Sequence, residues 1–178
     1  MAREARQVMP GRYCENDDAQ ATGRLADILQ AKDMANPKNV LVADDSGDDF
    51  VLIRQAFRRA GLPHKLDQVL DGEQALAYLM GEPPFSDRKQ FPFPDLMLLD
   101  VMMPRATGFD VLSFLRERPD VPVPLIVILS GSVLPEDSKK ALELGAKEYF
   151  TKPREIKGFT ELARTIDERW LREDVSKT

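Results

Sequence analysis

PDLMLLDVMMPRATG, residues 94–108, runs apolar through Leu99, stops on a single carboxylate at Asp100, and then turns through Met102, Met103 and Pro104 towards Gly108. The segment DLMLL (Asp95–Leu99) has the length and texture of a strand buried on both faces. A carboxylate at the end of such a strand either caps the next turn or is displayed for chemistry. The flanking sequence decides between the two.

Working outward, the same pattern repeats. NVLVA (Asn39–Ala43) is a short β-rich run that ends on Asp44 and Asp45, after which Ser46 with Asp49 reads as a helix N-cap. Phe50, Ile53 and Phe57 then recur at helical spacing, and Gly61 and Pro63 close that helix. KLDQVL (Lys65–Leu70) is half-polar, as an edge strand is, and Asp71 with Gln74 caps a helix bearing Ala75, Leu76 and Leu79. A proline-bearing loop from Gly81 to Pro94 leads into the central strand. Beyond it, Thr107 and Asp110 cap a helix bearing Phe109, Leu112 and Leu115. PLIVIL (Pro124–Leu129) ends on Ser130, Gly131 and Ser132, and Pro135, Glu136 and Asp137 suit a first helical turn that Gly145 eventually ends. KEYF (Lys147–Phe150) runs into Thr151, Lys152 and Pro153, and a last helix carries Phe159, Leu162, Ile166 and Trp170 on one side.

Five rounds of strand then helix predict one α/β domain over residues 38–171, a parallel sheet covered by helices on both faces. Residues 1–37 are polar and read as a mobile extension, with Ala21, Leu25, Ile28 and Leu29 as a weak helical face interrupted by Gly23; residues 172–178 read as a tail. In the 178 residues, 43% hydrophobic and 31% charged content is that of an ordinary soluble protein, and a net charge of −5 argues against a nucleic-acid footprint. No apolar run approaches bilayer length, and the N-terminal residues have no signal-peptide core, so a cytoplasmic address is expected. One cysteine, Cys14, and one histidine, His64, exclude an internal disulfide, a multi-histidine metal site and, in practice, a serine-protease triad.

In an open parallel sheet, ligands bind beyond the C-terminal ends of the strands. That rule gathers Asp44 and Asp45, Asp100, Ser130 and Lys152 at one edge. Three crowded carboxylates repel one another, and a divalent cation relieves the repulsion; magnesium suits few carboxylates plus a phosphate. A carboxylate is also a nucleophile towards phosphorus, and Lys152 and the Ser130 hydroxyl would hold phosphoryl oxygens. Taken singly, each residue has an ordinary reading as a loop, turn or solvated side chain. Their joint occurrence at four strand ends favours function.

With these residues in place, Asp44-Asp45 after an apolar strand, LLDVMMP with Gly108, Ser130-Gly131 and Lys152-Pro153 resemble the receiver domain of two-component response regulators. The resemblance implies a flavodoxin-like sheet of order 2-1-3-4-5 and a phosphoryl group taken by Asp100 from a phosphohistidine on a partner sensor histidine kinase. It further implies Mg2+ held by Asp45, Asp100 and the Met102 backbone carbonyl, with Asp44 acting through water, and phosphate held by Ser130 and Lys152. Pro104, Gly108 and Pro153 take structural places, the last in a cis Lys152–Pro153 bond. The loop from Gly81 to Pro94 and the ERWL ending are similar to stand-alone regulators that serve phytochrome-type kinases. By the same resemblance Ser130 and Tyr149 form the switch, with output through the fourth and fifth helices and the fifth strand to a downstream protein or a homodimer, anchored at Trp170 and Leu171. A DNA-binding module is not expected.

Met102 and Ser132, two residues beyond Asp100 and Ser130, carry neither a carboxylate nor an amide to orient a water, so they are expected to make the acyl phosphate long-lived. Three rivals remain. A haloacid-dehalogenase-type phosphatase needs an aspartate where Met102 stands. A flavin-binding module needs a phosphate loop where the acidic pair stands. A phosphate-relay or degenerate scaffold receiver is the third; every expected functional residue is present, which tells against the degenerate form.

Overall fold

A computed structural model describes residues 37–172, so the polar extension and the C-terminal tail fall outside the described residues. Five strands, β1 (Asn39–Ala43), β2 (Lys65–Val69), β3 (Leu96–Leu99), β4 (Leu125–Ser130) and β5 (Glu148–Thr151), pair in parallel in the order β2-β1-β3-β4-β5. Helices α1 (Gly47–Arg59), α2 (Gly72–Met80), α3 (Gly108–Glu117), α4 (Pro135–Glu143) and α5 (Ile156–Ile166) follow the strands in turn. The five-stranded receiver-type sheet expected from the sequence is the observed one.

Period-two alternation along each strand divides the core. Val40, Val42, Leu96, Leu98, Val127 and Leu129 meet Ile53, Phe57, Phe159 and Ile166 of α1 and α5. Leu41, Ala43, Met97, Leu99, Ile126 and Ile128 face the opposite layer, where α2, α3 and α4 supply Leu79, Val111, Leu112 and Ala141. Residues of β3 are 0–1% exposed, which fits its central place, whereas β2 at the edge keeps a half-polar surface.

The caps that start the helices are those written in the sequence. Ser46 Oγ accepts the Asp49 N–H at 3.1 Å, and Asp71 Oδ1 accepts that of Gln74 at 2.8 Å. Thr107 and Asp110 form a reciprocal capping box. The loop between α2 and β3 is a packed insert. Arg88 donates to the Tyr78 and Leu79 carbonyls, both at 2.8 Å, and Phe85 and Phe91 pack on the Tyr78 ring.

Three expectations are corrected. Lys152–Pro153 is trans; among the described residues the cis bond is Pro83–Pro84. An X–Pro bond favours trans by about 0.5–1 kcal/mol, and Lys152 reaches its partners in that form. The last helix is not one continuous α-helix, because a π-helical turn over Asp167–Leu171 replaces its end. The Asp167 side chain there is buried, accepting from His64 Nε2 at 2.9 Å and from Arg172 Nε at 2.7 Å. His64 Nδ1 accepts the Lys38 N–H at 3.1 Å, which leaves Nε2 as the protonated nitrogen facing Asp167. Finally, Leu171 is buried in its own chain and Trp170 leans on Phe150, so Leu171 is not available as a dimer anchor.

Gly108 shows how tightly the fold closes behind β3. Its N–H donates to the Val101 carbonyl at 3.0 Å, and a Cβ there would collide with the Asp100 carbonyl. Gly108→Ala should therefore lower stability by about 1–3 kcal/mol, read as a lower urea midpoint at unchanged slope.

Candidate functional site

Asp44, Asp100, Ser130 and Lys152 arrive from four neighbouring strands because a parallel sheet ends all its strands on one side. Register fixes their heights: the Asp100 N–H donates to the Ala43 carbonyl at 2.9 Å, and the Lys152 N–H to the Ser130 carbonyl at 2.7 Å. The backbone ladder thus continues one residue into the site and leaves little freedom in where the side chains start.

Lys152 Nζ is the centre of the cluster. It lies 2.6 Å from Asp100 Oδ2, 2.8 Å from Asp44 Oδ2 and 2.8 Å from Asp49 Oδ2. Burial alone would lower the pKa of this ammonium, but the hydrogen bonds to Asp100, Asp44 and Asp49 outweigh it and hold the pKa above the ordinary lysine range. Asp44 is 2% exposed, and its burial pushes the carboxyl up from its usual value, a rise that hydrogen bonds from Lys152 and the Ser46 N–H only partly offset. Asp45 is exposed, whereas Asp100 is 6% exposed.

Asp44, Asp45 and Asp100 each offer a carboxylate oxygen within 4.8 Å of the others. This donor set is hard, anionic and partly open to solvent, which suits a divalent cation with oxygen ligands. The Met102 N–H donates to Asp100 Oδ1 at 3.2 Å, while its side chain is 69% exposed. Ser130 is fully buried with its hydroxyl towards the Ser132 N–H at 3.4 Å. Tyr149 is half-buried, and its hydroxyl donates to the Ser132 carbonyl at 3.0 Å, tying β5 to the loop after β4. Ser132 also donates to Asp137 Oδ2 at 2.5 Å, so its hydroxyl proton is committed to the start of α4.

The loop after Asp100 is held from the side. Arg105 sits at φ 63°, a left-handed conformation costly for a residue with a side chain. Its guanidinium pairs with the fully buried Asp71 at the start of α2, and the Gly72 N–H donates to the Ala106 carbonyl at 3.2 Å. Pro104 and Gly108 lie on either side of this anchored turn.

Asp44, Asp45, Asp100 and Lys152 converge, and Ser130 lies beside Lys152 at the end of β4, joined to it by a backbone hydrogen bond. Two participants were missed in sequence. Asp49 was read only as the cap partner of Ser46, although one helical turn beyond an acidic strand end brings a side chain back over that end. Arg105 carried no sequence signal, because nothing in PRATG marks a positive φ on arginine.

Comparison with known proteins agrees with this geometry. The profile of the response regulator receiver domain matches residues 40–164. Response regulator Rcp1 of Synechocystis sp. is 30% identical over 135 residues, spanning 76% of this chain and 90% of that protein. Among solved structures, response regulator RPA3017, in red light signaling of R. palustris, is similar at TM-score 0.71 and 34% identity, over 76% of this chain and 94% of that one. The Mn(2+)-bound form of response regulator Rcp1 is similar at TM-score 0.67 and 30% identity, over 79% and 98%. With the strand order, the converging acidic residues and the lysine all in their places, the chain belongs to the response regulator receiver domain family.

Proposed function

We propose that this protein accepts a phosphoryl group on Asp100 from the phosphohistidine of a sensor histidine kinase in a Mg2+-dependent reaction. The observation that carries this reading is the contact of Lys152 Nζ with the Asp100 carboxylate at the mouth of a buried strand. An Asp100 oxygen attacks phosphorus, the P–N bond to imidazole breaks, and the bonding pair leaves with the imidazole nitrogen, giving an acyl phosphate. Lys152 donates to the phosphoryl oxygens as charge moves onto them, and Ser130 is the hydroxyl donor from the neighbouring strand. Asp45, Asp100 and the Met102 carbonyl would hold magnesium, with Asp44 assisting, and the cation would supply positive charge to the crowded oxygens.

Phosphorylation adds about −2 charge and three acceptor oxygens. Ser130 drawn towards them strains the loop that Ser132 and Tyr149 hold together, and the change leaves through α4, β5 and α5 to a protein partner. Similarity to regulators described with phytochromes and red light favours a phytochrome-type kinase as the donor.

Acetyl phosphate with magnesium should produce an acid-stable, base-labile adduct on the protein and none on Asp100→Asn; no adduct from this donor or from a phosphorylated kinase overturns the reading. Magnesium should raise the melting temperature, by about 2.7 kcal/mol of stabilisation at a hundredfold excess over Kd, and Asp45→Asn should remove most of the gain. The pH dependence follows from Asp44: its raised folded pKa means the cation-free fold holds that proton more tightly than the unfolded chain does. Its contribution to stability is therefore fully present below the unfolded value and is lost as pH rises through the folded value. The magnesium gain runs the opposite way and should fade as pH falls through the Asp44 pKa, which lies above 3.8. Finally, Met102→Asn should shorten the lifetime of the acyl phosphate, measured by release of inorganic phosphate; an unchanged lifetime would count against Met102 as a control position.

A further inference from the structure

We propose that Asp49 is a positioning residue that retains Lys152 when a divalent cation draws on Asp44 and Asp100, and so sets how readily the site takes the cation. The inference rests on the phosphoacceptor reading above and concerns the same site. An ammonium has three N–H donors, and all three of Lys152 meet carboxylates: Asp44, Asp49 and Asp100. Two of these acceptors belong to the trio that can surround a cation, and Asp49 does not.

Lys152 and a cation therefore compete for Asp44 and Asp100. The lysine side chain is only 13% exposed, so water is a poor substitute for a lost partner, and a buried ammonium without acceptors is costly. Asp49 supplies the acceptor that does not move. It stands in the first turn of α1, where Ser46 Oγ accepts its backbone N–H at 3.1 Å. With Asp49 in place, the cation can take the strand-end carboxylates without stripping Lys152. Without it, every oxygen the cation gains is one that Lys152 loses.

Asp49 also adds one negative charge, which attracts a cation whether or not Lys152 is present. Calorimetric titration with MgCl2 of wild type, Asp49→Asn, Lys152→Met and the double variant separates the two effects. Asp49→Asn should weaken magnesium binding roughly tenfold in the wild-type background, the scale of one charged hydrogen bond, and less than about twofold in the Lys152→Met background. Asp49→Glu should recover part of the loss, and melting curves without magnesium show that each variant is folded. Equal weakening in both backgrounds reduces Asp49 to a diffuse charge and overturns the proposal, as does wild-type affinity in Asp49→Asn. A wild-type protein that binds no magnesium overturns the site reading itself.

Discussion

The contact between the Lys152 ammonium and the carboxylates of Asp44, Asp49 and Asp100 is the interaction on which the rest of the site depends. Three carboxylates this close, two of them nearly buried, would push one another apart in the absence of positive charge. One ammonium at 2.6–2.8 Å from all three holds them in place. The sheet makes that possible at little cost in chain entropy, because backbone hydrogen bonds already fix the heights of Asp100 against Ala43 and of Lys152 against Ser130. Strand pairing provides position, and the lysine provides charge.

From that centre, the surroundings fall into supports and levers. β3 packs on both faces and gives Asp100 a rigid base, and Gly108 closes the chain behind it at backbone contact. Arg105, clamped to Asp71, holds the turn that carries Met102. On the other side the contacts are fewer and polar. Ser132 links Ser130, Asp137 and Tyr149 through its backbone and its hydroxyl, a short polar path from the end of β4 to α4 and β5. Rigid packing on one side and a short polar chain on the other is an arrangement that can transmit a change of charge.

Much of this was legible in the residues. The strands announced themselves as apolar runs ending in Asp44, Asp100, Ser130 and Thr151-Lys152, and parallel topology then required those ends to meet. The helix starts were equally plain, because Ser46, Asp71 and Thr107 each stand three residues before the N–H they accept. What stayed hidden depended on contacts distant in sequence or on backbone conformation. Asp49 pairs with a lysine 103 positions away, and Arg105 combines a left-handed backbone with an ion pair to Asp71 on another element. The π-helical turn carries Asp167 against His64 and Arg172, contacts that no helical periodicity can reveal. The switch and lifetime roles proposed for Ser130, Tyr149, Met102 and Ser132 rest on similarity to the receiver family, because residue chemistry alone leaves them open.

The central claim is that, of the four carboxylates at the site, Asp44, Asp45, Asp49 and Asp100, Asp100 alone receives phosphate. Borohydride reduction of the phosphorylated protein converts an aspartyl phosphate to homoserine, and peptide mass mapping then locates it. Homoserine at position 100 is the predicted result; homoserine at 44, 45 or 49, or at no position in a protein shown to carry label, would contradict it.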